Sequence, residues 1–344
     1  MRSYGKIDKK NPNYFNRMNF LKNKTILITG GTGSFGNAAV EYLTYHCKPK
    51  KIIVFSRDEN KQYEMQKKFK NKNLRFFLGD VRDEDRLLIA FKNVDYVIHA
   101  AAQKHVPAGE YNPFECIKTN INGAQSIISA CFKTNVKKVV ALSTDKACNP
   151  INLYGATKLC AEKLFINANQ LSGPGGTKFS VVRYGNVIAS RGSVIPFFKE
   201  LVKNKANYLP LTHKDMTRFF LTLTDSVKFV FNNLNNTVGG EITIPKMNSI
   251  LIKDIIRMIN KKIKIKIVGV RPGEKIHEIL CSKDESDLVY ETKNSFIIYP
   301  NYKPNIKKSG KKVKSDFEYV SNSKKYLNKT AIINLINKSK VLSK

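Results

Sequence analysis

No stretch of the chain runs to 18 or more apolar residues, and Met1 to Lys24 is polar and basic, without the apolar core of a signal peptide. A membrane-spanning helix is excluded on that count, so a soluble protein in the cytoplasm is expected. Cysteine is sparse as well. Cys47, Cys116, Cys131, Cys148, Cys160 and Cys281 lie scattered, with no Cys-x-x-Cys pair and no histidine at metal-ligand spacing. A disulfide framework and a spaced zinc site are thereby excluded; free thiols in a reducing compartment, and no metal, are expected.

Acidic residues are the other shortage. Twenty-seven Asp and Glu stand against 60 Lys and Arg, a formal charge of +33. Such an excess points first to nucleic acid, so its location decides the matter. Residues 1–24 contribute +6 and residues 301–344 contribute +10, close to half of the total in two terminal segments. The body is rich in Lys, Asn and Ile, and no aromatic-interleaved basic motif, helix–turn–helix cue or zinc finger accompanies the charge. Compositional bias explains it, and nucleic acid is not expected as a partner.

What is present is an alternation of short β-rich runs with helix-length amphipathic stretches. Ile26–Ile28, Lys51–Phe55, Arg75–Leu78, Val94–Ile98, Lys138–Leu142 and Phe179–Arg183 read as strands. That rhythm predicts an α/β fold, a doubly wound parallel sheet of the NAD(P)-binding Rossmann type, followed by a smaller mixed α/β substrate lobe. The expected divisions are a flexible basic extension at 1–19, the nucleotide-binding domain at 20–185 with later segments returning to it, the lobe mainly at 186–300, and a Lys-rich, partly disordered tail at 301–344. A short apolar helix is expected near Ile332 to Ile336.

Thr29-Gly30-Gly31-Thr32-Gly33-Ser34-Phe35-Gly36 follows the first strand and opens a helix. Glycine serves the tight turn, the close approach of backbone to pyrophosphate and the packing of helix on strand, while the helix N-terminus supplies N–H donors. Gly30, Thr32, Gly33, Ser34, Phe35 and Gly36 are thus candidate cofactor residues. Ser56-Arg57-Asp58 ends the second strand. Arg57, helped by Ser56 and Lys61, suits the 2′-phosphate of NADP, whereas Asp58 keeps NAD open as the alternative. Asp80, with Val81 beside it, is a candidate for the adenine, against a plain strand-ending carboxylate. Ala100-Ala101-Ala102 offers a small-residue wall for a flat ring. Lys104 is placed to meet a phosphate or sugar oxygen, and Thr119-Asn120 to face the same crevice, with an ordinary helix-surface position equally open for Asn120.

The densest chemistry lies between Ser143 and Lys158. Thr144, Asp145 and Lys146 sit at the end of a strand, where open parallel sheets bind ligands. Tyr154 and Lys158, four apart, share a helix face. These five residues are the catalytic candidates. Cys148 and Cys160 flank them as expected structural thiols.

With Gly31-x-Gly33-x-x-Gly36 and Tyr154-x-x-x-Lys158 in place, the chain resembles the extended short-chain dehydrogenase/reductases, and more closely the inverting UDP-N-acetylglucosamine 4,6-dehydratases of pseudaminic acid synthesis. Further stretches carry the likeness: Gly79-Asp-Val-Arg-Asp83, His99 to Pro107, Arg183-Tyr-Gly-Asn-Val187, Arg191 to Phe198, Met216-Thr-Arg-Phe219 and Arg271-Pro-Gly-Glu-Lys-Ile-His-Glu278. Its most specific element is Asp145-Lys146, where ordinary sugar-nucleotide dehydratases of the superfamily tend to have Asp-Glu.

The resemblance implies a tightly bound NADP regenerated in each turnover, a UDP-sugar as substrate, a homo-oligomer, and no membrane. It implies that Tyr154, its phenol made acidic by Lys158, takes the proton at sugar carbon 4 while Thr144 holds that oxygen. Lys146 would remove the carbon 5 proton, its pKa lowered to about 7 or 8 by partial burial beside Tyr154, Lys158 and the cationic nicotinamide ring, and Asp145, kept protonated by desolvation, would release the carbon 6 hydroxyl as water. Lys104, Asn186, Arg191, Val194, Arg218, Arg271 and Glu274 are the implied substrate residues, with arginine offering a bidentate fork to phosphate. The competing readings are a retaining dehydratase or 4-epimerase on the same fold, and a catalytically silent NADP-binding or nucleic-acid-binding scaffold.

Overall fold

The structure, a computed structural model, describes residues 19–188, 190, 193–303, 305–322 and 326–338. Residues 1–18 of the expected extension and the candidate Arg191 lie outside the described residues.

Six strands enter in chain order: β1 (Thr25–Thr29), β2 (Lys51–Ser56), β3 (Leu74–Leu78), β4 (Tyr96–His99), β5 (Lys138–Thr144) and β6 (Lys178–Tyr184). They are mutually parallel and lie in the order β3-β2-β1-β4-β5-β6. The order reverses between β1 and β4, which opens a crevice beyond the carboxyl ends of those strands. Because a strand sends alternate side chains to opposite faces, β1 feeds two separate cores. Leu27 packs with Leu87, Ile127, Ala161 and Phe165 on one side. Ile26 and Ile28 pack with Val40, Leu43, Val227 and Phe231 on the other. Helices Glu84–Ala90, Gly123–Phe132 and Leu153–Leu171 therefore cover one face, and Ser34–His46 and Leu223–Asn236 cover the other.

After β6 the chain leaves this sheet. Strands β7 (Asn186–Val187), β8 (Tyr208–Leu211) and β9 (Thr217–Leu221) belong to small separate ladders, joined later by β11 (Asn248–Leu251) beside β9 and β12 (Lys264–Ile267) beside β8. Their core is aliphatic: Ile195, Leu209, Phe220, Ile250, Ile255 and Ile256 are buried together. Helix Ile252–Ile259 turns Ile252, Ile255 and Ile256 inward at helical spacing and Lys253 and Arg257 away from that core.

Between these excursions the chain returns to the large sheet. β10 (Ile242–Pro245) lies parallel to β6, and β15 (Ser295–Ile298), β14 (Val289–Glu291) and β16 (Lys311–Lys312) extend it antiparallel. A short ladder of β13 (Ile279–Cys281) with β17 (Tyr319–Val320) and a terminal helix, Lys329–Lys338, complete the fold. The short helix read near Ile332 to Ile336 lies within that element.

Candidate active site

The crevice between β1 and β4 is built from the glycine stretch and the Ala100 wall. Thr29 ties the two strand ends together: its Oγ1 accepts from the N–H groups of Ala100 (3.2 Å) and Ala101 (3.3 Å) and meets His99 Nδ1 at 2.9 Å. Gly33 is the N-cap of helix Ser34–His46, and the Asn37 amide holds the loop from below by donating to the carbonyls of Thr32 and Gly33. Gly36 admits no side chain, since a Cβ there would sit 2.2 Å from the Gly31 carbonyl oxygen. A pyrophosphate fits the first turn of such a helix by its N–H groups and dipole.

At the end of β2, Gln62 donates to Ser56 O and Oγ and to Phe77 O, locking β2 to β3. Asp58 caps helix Glu59–Lys68, accepting from Lys61 N at 2.9 Å, and pairs with the Lys61 ammonium. Arg57 projects outward, with its Nη1 3.3 Å from Asp80 Oδ2, while Arg82 Nη2 holds the same oxygen at 2.7 Å. Burial works against that charge, but the Arg82 hydrogen bonds and the two cations keep the Asp80 carboxyl below its ordinary range. Asp80 thus serves as an anchor for two arginines. Val81 is buried in the core.

Thr119 and Asn120 fall in a π-helical turn, Lys118–Asn122. Asn120 is a strut here and not a surface residue. It accepts from Gln103 N at 2.8 Å and donates to Gln103 O at 3.0 Å and Thr157 Oγ1 at 3.0 Å, fixing the segment after the Ala100 wall to the helix that carries Tyr154 and Lys158.

That helix, Leu153–Leu171, starts at Asn152, whose Oδ1 accepts from Gly155 N at 2.8 Å and whose amide donates to Gly273 O at 2.7 Å. Gly155 lies against the Lys146 carbonyl oxygen, which a Cβ would approach to 2.2 Å. A glycine there lets the helix press on the strand-end loop, so Tyr154 and Lys146 are brought together. Thr144 Oγ1 donates to Asp145 Oδ1 at 2.9 Å. Lys146 Nζ donates to the same Asp145 oxygen at 2.9 Å and pairs with Glu278 Oε1 at 3.1 Å. Arg218 Nε lies 3.5 Å from Glu278 Oε1, and its Nη2 lies 3.4 Å from Glu274 Oε1. Asp145 Oδ2, Glu274 Oε2 and Glu278 Oε2 are buried without a hydrogen-bond partner.

The electrostatics differ from the sequence expectation in two places. Burial alone would lower the Lys146 ammonium, but the carboxylates of Asp145 and Glu278 outweigh it and hold the group above the ordinary lysine range. Tyr154 is also reversed: burial pushes the phenol up to about 12, against the lowering effects of Lys146 and of its hydrogen bond with Thr144. Lys158 is lowered to about 8 by burial, and its Nζ donates to Leu142 O at 2.6 Å. Asp145 moves as expected. Burial and the neighbouring Glu278 charge raise it, with Lys146 opposing.

A cavity of about 610 Å³ opens over this cluster. Lys146 and Glu278 are in its lining, and the candidates Asn186, Val194, Arg218, Arg271 and Glu274 line it too. Lys104 is outside that lining. Sequence reading passed over Glu278 as an individual residue. Its position in the Arg271 to Glu278 motif was the available signal, but its partners come from distant strands. Nothing in the sequence marked Gly155 as a contact of Lys146. Among the described residues no cluster of His, Cys, Asp or Glu suits a metal ion, and no helix is long and apolar enough to cross a membrane.

Comparison with known proteins gives a consistent picture. Residues 26–300 match the family described as polysaccharide biosynthesis protein. A UDP-N-acetylglucosamine 4,6-dehydratase (inverting) from Campylobacter jejuni subsp. jejuni serotype O:23/36 (strain 81-176) is 51% identical over 325 residues, 91% of this chain and 97% of the relative. A UDP-glucose 4-epimerase from Rickettsia conorii (strain ATCC VR-613 / Malish 7) is 40% identical over 320 residues, 89% of this chain and 93% of the relative. The X-ray structure of Pen from Bacillus thuringiensis superposes with a TM-score of 0.88 at 39% identity, covering 94% of this chain and 99% of that one. With its 3-2-1-4-5-6 sheet, its glycine cradle and Asp145-Lys146 beside Tyr154, the chain belongs to the polysaccharide biosynthesis protein family, an extended short-chain dehydrogenase/reductase lineage, and groups there with the inverting UDP-N-acetylglucosamine 4,6-dehydratases.

Proposed function

We propose that this chain converts UDP-N-acetylglucosamine to a UDP-4-keto-6-deoxy-N-acetylhexosamine with inversion at carbon 5, using bound NADP. The carrying observation is the Lys146 ammonium held between Asp145 and Glu278 on the wall of an arginine-bearing cavity, with Tyr154 close by.

The glycine stretch and the first turn of helix Ser34–His46 would hold the pyrophosphate, and the Ala100 wall the nicotinamide. Arg57 favours NADP over NAD, because Asp58, the residue that would hold a free ribose, is engaged as a helix cap. When bound, the cofactor accepts hydride from sugar carbon 4 and returns it to carbon 6, so no net redox occurs. Arg218 and Arg271 would take the diphosphate, and Asn186, Val194 and Glu274 the remainder of the nucleotide end. In this reading residues 20–185 supply the cofactor site and residues 186–300 most of the substrate wall.

Tyr154 takes the carbon 4 hydroxyl proton, with Thr144 at that oxygen. Oxidation at carbon 4 then acidifies the carbon 5 proton. Lys146 is a base only when neutral, and the hydrogen bond to Asp145 supplies the route: one proton crossing that bond leaves a neutral amine and a protonated carboxyl. Lys146 then takes the carbon 5 proton, and Asp145 gives its proton to the departing carbon 6 hydroxyl. Water leaves.

The test is incubation of purified protein with UDP-N-acetylglucosamine in D2O, without added reductant, followed by NMR. A 4-keto-6-deoxy product carrying one deuterium at carbon 5 with inverted configuration is expected. Recovery of intact substrate, or retention at carbon 5, overturns the assignment. A product that keeps its carbon 6 hydroxyl favours the 4-epimerase reading, which the Rickettsia relative brings into play.

A further inference from the structure

Glu278 has no assigned part in the reaction as described above, yet its carboxylate is buried against Lys146 with one oxygen left without a hydrogen-bond partner. Its side chain is 2% exposed. Its backbone is gripped from both sides by Ser321, just past β17: Glu278 N donates to Ser321 Oγ at 2.8 Å, and Ser321 N donates to Glu278 O at 2.8 Å. Ser321 Oγ in turn meets Thr217 Oγ1 at 2.7 Å, next to Arg218. A segment far along the chain therefore fixes one carboxylate against Lys146.

We infer that Glu278 is a positioning residue for the proton chemistry of Lys146, holding its ammonium jointly with Asp145 and linking it to the nucleotide-facing Arg218. The inference rests on the dehydratase reading for its place in catalysis, and on geometry alone for its contact with Lys146. A lysine side chain has four rotatable carbons, and a single hydrogen bond to the adjacent Asp145 leaves its head free to swing into the cavity. A second carboxylate, reached from another strand, removes that freedom. Its charge also has a directed effect on the titration of Lys146. The groups facing Lys146 are Asp145, Glu278, Arg218 and Lys275, with Tyr154 behind; those facing Glu278 are Lys146, Arg218, Lys275 and Asp145. Removing the Glu278 charge takes away one anion that favours the ammonium, so the neutral amine becomes accessible at lower pH.

Glu278→Gln keeps size and one acceptor oxygen while removing the charge. In protein labelled with 13C at lysine Cε, the Lys146 resonance is expected to titrate at least about one pH unit lower in Glu278→Gln than in wild type. This readout needs no turnover. In the dehydratase assay, kcat is expected to fall about tenfold or more at neutral pH with KM changed less than about threefold, and the ascending limb of its pH profile, where the Asp145–Lys146 pair sheds its second proton against the Glu278 charge, is expected to move to lower pH. Glu278→Asp, which restores the charge, is expected to bring the limb back towards wild type. Ser321→Ala, which keeps the carboxylate and loosens its backbone, is expected to lower kcat without displacing the limb, and it stands in if Glu278→Gln does not fold. An unmoved Lys146 titration in Glu278→Gln overturns the inference. So does a loss of kcat that is uniform over pH and matched by a lowered Tm, which is what a merely structural carboxylate gives. If wild type makes no dehydrated product while the resonance still moves, the dehydratase reading fails and the Glu278–Lys146 link stands.

Discussion

Arg57 offers the cleanest test of cofactor choice, because removing it disturbs little else. Its side chain is 58% exposed, and its ion-pair partner, Asp80, is also paired with Arg82 at 2.7 Å, a contact that does not need Arg57. A charge-assisted contact to a 2′-phosphate contributes about 1.5–3 kcal/mol. Against it stands the exposed pair with Asp80, which contributes between about 0 and 1 kcal/mol and is weakened when the guanidinium turns to phosphate. The difference, about 1–2 kcal/mol, corresponds to a loss of roughly 5- to 30-fold in NADP affinity for Arg57→Ala. NAD lacks the 2′-phosphate, so its affinity is expected to stay within about twofold. Calorimetric titration of cofactor-stripped wild type and variant with both dinucleotides measures the two constants directly. Raising the salt concentration should narrow the wild-type preference, since the contact is exposed. Parallel weakening of NADP and NAD, or an unchanged NADP affinity, would refute the assignment of Arg57 to the phosphate.

The buried Arg183 gives a stability prediction. Its guanidinium bonds Glu162 through Nε and Nη2 (3.0 and 2.7 Å) and Glu285 through Nη1 and Nη2 (both 2.9 Å). Arg183→Met strands the Glu162 carboxylate, at a cost of about 3–5 kcal/mol, or roughly 4–7 °C in Tm for a chain of this length; an unchanged Tm in calorimetry would show that the network is not stabilising. Gly155→Ala must push the Lys146 carbonyl aside, so kcat should drop at least about tenfold while NADP still binds, and normal turnover would mean the helix start relaxes freely. Lys158 supplies a pH signature. Its folded pKa near 8 lies below the ordinary lysine value, so the unfolded chain holds an extra proton between about 8 and 10.5 and stability rises with pH across that window, by roughly 3 kcal/mol in all. Below pH 8 both states are protonated and the penalty is constant. Urea unfolding should show this slope in wild type and lose it in Lys158→Met; identical slopes would place the titration elsewhere.

Much of the nucleotide half was legible because its signals are local. The Thr29 to Gly36 stretch needs only its own glycines and the strand before it, and the alternating apolar runs set the parallel sheet directly. Tyr154 and Lys158 follow from helical spacing alone. Asp58 was kept open as a ribose ligand for NAD, and its use as a helix cap, through the Lys61 N contact, emerges only from the fold. Asn120 was read as a crevice or surface residue because a π turn rotates its side chain inward, and no periodicity announces such a turn. Lys146 was expected to titrate low because burial and the neighbouring cations were weighed without the carboxylates that oppose them. The opposing carboxylate of Glu278 lies 132 positions away and reaches Lys146 through tertiary folding.

That reversal changes how the Asp145-Lys146 pair has to work. A lysine bracketed by two carboxylates is a poor base when considered as an isolated group, and lowering its pKa to near neutrality is not what this site does. The pair titrates as a unit, however, and the relevant event is the position of one proton along a 2.9 Å hydrogen bond. Burial makes the protonated form of Asp145 accessible, and the same shift that neutralises Lys146 charges the acid that the leaving hydroxyl requires. If that tautomer is populated once in about a thousand, it adds about 4 kcal/mol to the barrier, which is small against the 8 kcal/mol or more by which enzymes typically lower theirs. Two carboxylates in this position would also share one proton to give an acid and a base, but the pair would carry a net negative charge beside the developing enolate. Asp-Lys obtains both from one proton, and it keeps a cation ready to face the enolate that forms when carbon 5 is deprotonated.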